Sequence, residues 1–189
     1  MKLWTIQPKN VLDILETDGI FRCDITKSSF CDEYIRPAYD WLVEQMSREI
    51  PIPEGVSYPI WAWYMRDGKH YKPDLRNTGY GEHGDEMVCL EVEIPDNEVL
   101  LSDFDAWHFV LNRMYLDDST SEEEWNRSNE YFDSLPHDRQ EQVMRESWSR
   151  IFDISPFKND WRTRGCYVQA TFWELRKEQI RMVQHFRAR

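Results

Sequence analysis

Hydrophobic and polar positions alternate most cleanly over residues 87–94, Met-Val-Cys-Leu-Glu-Val-Glu-Ile. Val88, Leu90, Val92 and Ile94 fall on one side and Glu91 and Glu93 on the other. A period of two predicts a strand with one face in the core. Strands are likewise predicted over 2–7, 58–65, 166–173 and 180–186. Between them the period lengthens to that of a helix. Val11, Leu12, Ile14 and Leu15 share a face after Pro8, and Asp18-Gly19 ends that helix, with Gly19 suited to a left-handed cap. Phe30, Tyr34, Ala38, Trp41, Leu42 and Met46 mark a helix over 30–49, which Pro37 kinks or restarts. Phe104, Trp107, Leu111 and Met114 place a helix over 103–115, after a short apolar piece at 99–101. Ser121 and Glu124 have capping-box spacing for another helix, and Pro136 opens one running to about Phe152. Residues 66–86 hold Gly68, Gly79, Gly81 and Gly84 among charges and match no regular element; loops of that length are functional or mobile. Strands and helices intermingle without a strand–helix–strand rhythm. The fold class is therefore α+β, a single domain over 1–189 with an antiparallel-rich sheet core and flanking helices.

Composition narrows the function. Hydrophobic residues make up 41% of the chain and aromatics 14%, enough for a packed core and too much for disorder. Nine tryptophans are a high count for this length; some must pack in the core, and a surplus suits a cleft where a flat ring stacks on a ligand. The net charge of −12 repels a phosphate backbone and an acidic lipid surface, so nonspecific nucleic-acid or membrane binding is disfavoured. A small ligand or a basic protein partner remains open. Cys23, Cys31, Cys89 and Cys166 lack zinc-site spacing, the opening MKLWTIQPKN has no apolar signal core, and no apolar run spans a bilayer. These features read as a cytoplasmic protein with free thiols.

Four segments carry candidate chemistry. In 101–112, Asp103, Asp105 and His108 offer two carboxylates and an imidazole for acid–base work. The same acids also suit a helix N-terminus, with Ser102 and Asp105 at capping-box spacing. Asp105 and His108 are helical neighbours but too few to hold a metal, so no metal site is predicted. Trp61 and Trp63 share one strand face beside Arg66, an arrangement for a planar base with a phosphate, or two core rings beneath a helix. The loop supplies Lys72, Asp74, Arg76 and His83, with Arg76 a further phosphate candidate. In 166–174, Val168, Ala170 and Phe172 point to the core. Tyr167, Gln169, Thr171 and Trp173 line the other face, either as a cleft wall or as a face covered by a loop.

The segments MKLWTIQ, YPIWAWY, EIPDNEVLLSDFDAWHFVLN and VQATFWELRKEQI together resemble a bacterial domain-of-unknown-function family over nearly the whole length. That family implies no activity. In element order the chain more distantly resembles the ADP-ribosyltransferase superfamily. The strand Leu3-Trp4-Thr5-Ile6-Gln7 with Leu12, Leu15 and Gly19, and the strand Gln169-Ala170-Thr171 followed by Ile180-Arg181-Met182-Val183, carry the likeness. Thr5 stands where that superfamily has its NAD-binding histidine, and Thr171 where it has its catalytic glutamate. A threonine cannot stabilise a cationic sugar as a carboxylate does, so the resemblance implies an atypical enzyme.

Two functions stand open. One is a nucleotide- or NAD-type ligand-binding protein, in its catalytic form an atypical ADP-ribosyltransferase. Its ligand would meet Thr5, Trp61, Trp63, Arg66, Arg76, Gln169 and Thr171, with Glu174 or Asp103 as the catalytic carboxylate and NAD or a related nucleotide as the cofactor. The other is a non-catalytic binding or inhibitor protein whose acidic surface meets a protein partner.

Overall fold

A computed structural model of the protein describes residues 1–24 and 33–189. The predicted Phe30 start of the second helix, and Cys31, lie outside those residues. A six-stranded sheet forms the centre. Its strands are β1 (Lys2–Pro8), β3 (Ile60–Met65), β4 (Glu86–Glu93), β5 (Leu100–Asp103), β8 (Val168–Phe172) and β10 (Ile180–Arg187), in the order β10-β4-β1-β3-β8-β5. Every neighbouring pair is antiparallel. The sheet and its helices form the single α+β domain that the patterning predicts. A strand ribbon of β2 (Ile20–Arg22) and β9 (Glu174–Arg176), and a hairpin of β6 (Phe157–Lys158) and β7 (Thr163–Arg164), stand apart from the sheet.

The sheet's two faces divide the hydrophobic residues. Leu3, Val88, Leu90, Val92, Ile60, Ala62, Ala170 and Phe172 bury one face against Val11 and Leu15 of α1 (Asn10–Asp18) and Leu175 of the ribbon. Gly19 takes the left-handed conformation and returns its N–H to the Leu15 carbonyl, ending α1 as predicted. The opposite face carries Trp61 and Leu100 beneath α2 (Arg36–Glu49), α3 (Phe104–Leu111), α5 (His137–Ser147) and a tight 3₁₀ turn over Trp148–Phe152. Trp107, Trp148, Leu42 and Ile151 fill the space between. Pro37 sits in the first turn of α2, so it starts that helix instead of kinking it. No helix among the described residues is long and apolar enough to cross a membrane.

The helix predicted over 103–115 stops at Leu111. Met114 N–H bonds the Phe109 carbonyl at 2.8 Å and Arg113 N–H bonds the Val110 carbonyl at 3.1 Å, a Schellman pair. Arg113 therefore takes φ +52°, a conformation that costs an L-residue ~1–2 kcal/mol. Tertiary bonds hold the chain in that reversal. Trp148 Nε1–H donates to the Met114 carbonyl at 2.8 Å and Leu116 N–H to Ser147 Oγ at 3.0 Å. Helical period alone cannot foresee these partners. Arg113→Gly relieves the strain, and chemical denaturation is expected to show a gain of about 0.5–1 kcal/mol. A loss of stability would mean that Arg113 holds the reversal through its side chain.

Candidate functional site

Most of the residues singled out from sequence serve the fold. Thr5 is fully buried; its hydroxyl donates to the Trp61 carbonyl at 2.8 Å and accepts from Gln7 Nε2–H at 2.7 Å. Trp61 packs on Trp107 at 5.1 Å between ring centroids and edge-on to Tyr39. Thr171, its cross-strand neighbour, is buried and donates to the Leu100 carbonyl. Trp63, Gln169 and Arg66 do come together. Trp63 and Gln169 pair across strands and the Arg66 guanidinium lies 4.8 Å over the Trp63 ring. That cation, with the Phe104 ring 5.0 Å away, uses the Trp63 surface within the fold. Arg76 chelates Asp74 in the exposed loop and holds that carboxyl well below the usual carboxylate range. Glu174 is clamped between Arg22 at 2.7 Å and Arg176 at 3.0 Å on the ribbon. Trp63, Arg66 and Thr5 share no cleft, because Leu3, Thr5 and Gln7 alternate with Trp4 and Trp4 is the residue opposite Trp63.

Asp103 is the helix cap, correcting the Ser102–Asp105 capping box. It is 2% exposed, ends β5 and opens α3. Its Oδ1 accepts Ala106 N–H at 2.9 Å and its Oδ2 accepts Gly165 N–H at 2.7 Å. Both of its oxygens are thus engaged by backbone donors. Ser102 Oγ, by contrast, is buried without a hydrogen-bond partner. His108 turns its Nδ1 to the Phe104 carbonyl at 2.9 Å. Among the described residues no three His, Cys, Asp or Glu gather as metal ligands.

Behind the Asp103–Gly165 link opens a cleft of about 270 Å³. Asp105, Phe109, Asp117, Trp125, Arg150, Trp161, Arg162 and Arg164 line it among others. Its walls are built locally. Trp125 rises from α4 (Glu122–Ser134), whose N-terminus is capped by Ser121 Oγ accepting from Glu124 N–H. Trp161 stands at the turn of the β6–β7 hairpin. Asn159 Oδ1 accepts the N–H groups of Trp161 at 3.0 Å and Arg162 at 2.7 Å, and so shapes that turn. Gly165 closes the hairpin at φ +70°, where a Cβ would lie 2.4 Å from the Ile154 carbonyl oxygen. Trp125 and Trp161 are 44% and 45% exposed with their rings 6.4 Å apart. Arg150 Nη1–H donates to the Leu116 carbonyl at 3.0 Å and Arg162 Nη1–H to the Asp117 carbonyl at 3.1 Å. Arg150 Nε also pairs with the Asp118 carboxylate at 3.9 Å, and the Nη2 of neither arginine bonds another described residue. The cleft thus offers ring surface and unused cationic donors, the chemistry for a planar anion. Sequence reading missed Trp125 and Trp161. A tryptophan among the polar residues that open α4, and another just after Asn159-Asp160, were the signals.

Asp105 also lines the cleft. Partial desolvation and the Asp103 charge raise its carboxyl above the usual 3.8, against the pull of His108. The folded protein therefore binds this proton more tightly than the unfolded chain. The group favours folding while protonated and loses that contribution as pH rises through its folded pKa. Asp105→Asn should melt above wild type at pH 7, with the difference closing below pH 3.8. Asp103→Ala should lower stability by ~2–4 kcal/mol, because it frees two backbone donors at once. Equal and small effects of both substitutions in thermal melts would contradict the division of roles.

No curated protein and no solved structure matches the sequence. One family model does, over residues 2–181: the chain belongs to the family described as Domain of unknown function (DUF3841).

Proposed function

We propose that the protein binds a small planar anion of the nucleotide type in the cleft between α3, α4 and the β6–β7 hairpin. The observation that carries this is the pair of half-exposed rings, Trp125 and Trp161, beside two arginines with uncommitted donors. Two exposed rings side by side make a contiguous apolar patch, the kind that marks a ligand or partner site. At 270 Å³ the cleft falls just under the roughly 300–1,000 Å³ typical of small-ligand sites, which favours a mononucleotide over NAD. ADP-ribosyl transfer receives less support, since Glu174 is committed to Arg22 and Arg176 and Thr171 to the Leu100 carbonyl.

A second reading has its own support. Helix α4 buries none of its residues, Tyr131 is 54% exposed on it, and Glu122, Glu123, Glu130 and Asp133 make no ion pair among the described residues. An acidic helix carrying exposed aromatics suits a basic protein partner.

Titration with the four common ribonucleoside monophosphates decides between them. Tryptophan fluorescence should respond to at least one. Arg162→Ala should weaken that binding by ~1.5–3 kcal/mol, the worth of a charge-assisted hydrogen bond. Charge reversal at Glu122 and Glu130 should leave it unchanged. No response from the wild-type protein to any of the four removes the nucleotide reading and leaves the protein-partner reading.

A further inference from the structure

Residues 116–121 run along one wall of the cleft, and three hydroxyls follow one another there. The Thr120 hydroxyl donates to the Glu124 carboxylate at 2.9 Å, and Ser121 Oγ accepts Glu124 N–H at 3.3 Å. Ser119 is the most buried of the three, at 7% exposed, yet its hydroxyl bonds no described residue. This reverses the usual relation. An exposed hydroxyl finds its partner in water, whereas a buried one is ordinarily bonded, because leaving it unpaired is costly. Ser119 lines the ring-walled cleft and also a second, more open hollow beside the start of α4, so it stands where the two meet.

The same stretch of chain collects the cationic donors. Arg150 and Arg162 both line the cleft, and each places its Nη1–H on a carbonyl of this wall, that of Leu116 or of Asp117. The two carboxylates of the stretch have protein partners. Asp117 Oδ1 accepts Ser119 N–H at 2.7 Å, and Asp118 pairs with Arg150 Nε at 3.9 Å. The donors without a protein partner are therefore one hydroxyl and the Nη2 groups of two guanidiniums. A carboxylate would bring them two oxygens, and a phosphate monoester brings three terminal oxygens. Three donors match the phosphate, and bonds from a guanidinium or a hydroxyl to such an oxyanion are charge-assisted.

We infer that Ser119 is the phosphate-binding residue of the cleft, its hydroxyl donating to a phosphate monoester that Arg150 and Arg162 also hold. The ligand then lies in one direction, with its phosphate at the junction of the two hollows and its ring against Trp125 and Trp161. This rests on the nucleotide reading of the same cleft for the ring, while the phosphate subsite stands on Ser119 and the arginines.

The test titrates the full chain and Ser119→Ala with the four common ribonucleoside monophosphates, each beside its nucleoside, by calorimetry. The substitution removes a hydroxyl that holds nothing in the fold, so the variant should fold, and circular dichroism verifies it. In the wild type the tightest monophosphate should bind roughly 10- to 100-fold better than its nucleoside. Ser119→Ala should bind that monophosphate roughly 10-fold more weakly and the nucleoside as before. Inorganic phosphate at matched ionic strength should shift the residue-119 backbone N–H signal in the wild type and not in Ser119→Ala. A monophosphate bound equally by both proteins, or an equal loss of monophosphate and nucleoside in the variant, would overturn the inference and leave the nucleotide reading standing. A Ser119-dependent response to inorganic phosphate without binding of any monophosphate would support the subsite and remove the nucleotide reading. No response to phosphate or to any monophosphate would overturn both.

Discussion

The buried carboxylate of Asp103 is the constraint on which the architecture of the cleft depends. One oxygen caps α3 and the other holds Gly165, 62 residues further along the chain. The two walls of the cleft therefore share one side chain. Gly165 meets that carboxylate only because its positive φ and missing Cβ let the backbone pass against Ile154. A second backbone bond, Phe104 N–H to the Tyr167 carbonyl at 2.8 Å, lies next to it and fixes the hairpin's exit. A buried carboxylate with both oxygens satisfied is stable in low dielectric, whereas one left unpaired is costly.

Given that joint, the rest of the cleft follows from short-range chemistry. Arg150, Arg162 and Asn159 reach across to the carbonyls of Leu116, Asp117 and Thr120, stitching the 112–121 segment to the hairpin and the 3₁₀ turn. Backbone carbonyls take only part of each guanidinium, and Asp118 pairs with the Nε of Arg150 at 3.9 Å. The two tryptophans are placed by different means, one by a capped helix and one by an asparagine-shaped turn. Neither is drawn into the core, because the space over the sheet is already filled by Trp41, Trp107 and Trp148.

The sheet was legible in the sequence because its strands obey a period of two. The residues that patterning placed inside, such as Val88, Leu90, Ala170 and Phe172, are buried. The helices were legible in place but not in length. α3 ends early because Trp148 and Ser147 capture the chain at Met114 and Leu116, partners more than 30 residues away. The cleft was the least legible part. Trp61 and Trp63 drew the reading because they share a strand face, yet a strand in the middle of a sheet covered on both sides turns such rings into packing. Asp103 looked like a reagent because a sequence cannot say whether a carboxylate has one partner or two. Trp125 and Trp161 sit in segments without periodic signal, and long-range links from the hairpin to Asp103, Asp117 and Thr120 are what set their rings 6.4 Å apart.

The protein's nine tryptophans make the central claim directly measurable. Each indole N–H gives its own signal in a proton–nitrogen correlation spectrum. Titration with a ribonucleoside monophosphate should move the signals of Trp125 and Trp161 and leave those of Trp61, Trp63 and Trp107 in place. Movement of Trp61 or Trp63 with Trp125 and Trp161 unchanged would contradict the account and return the ligand to the sheet face.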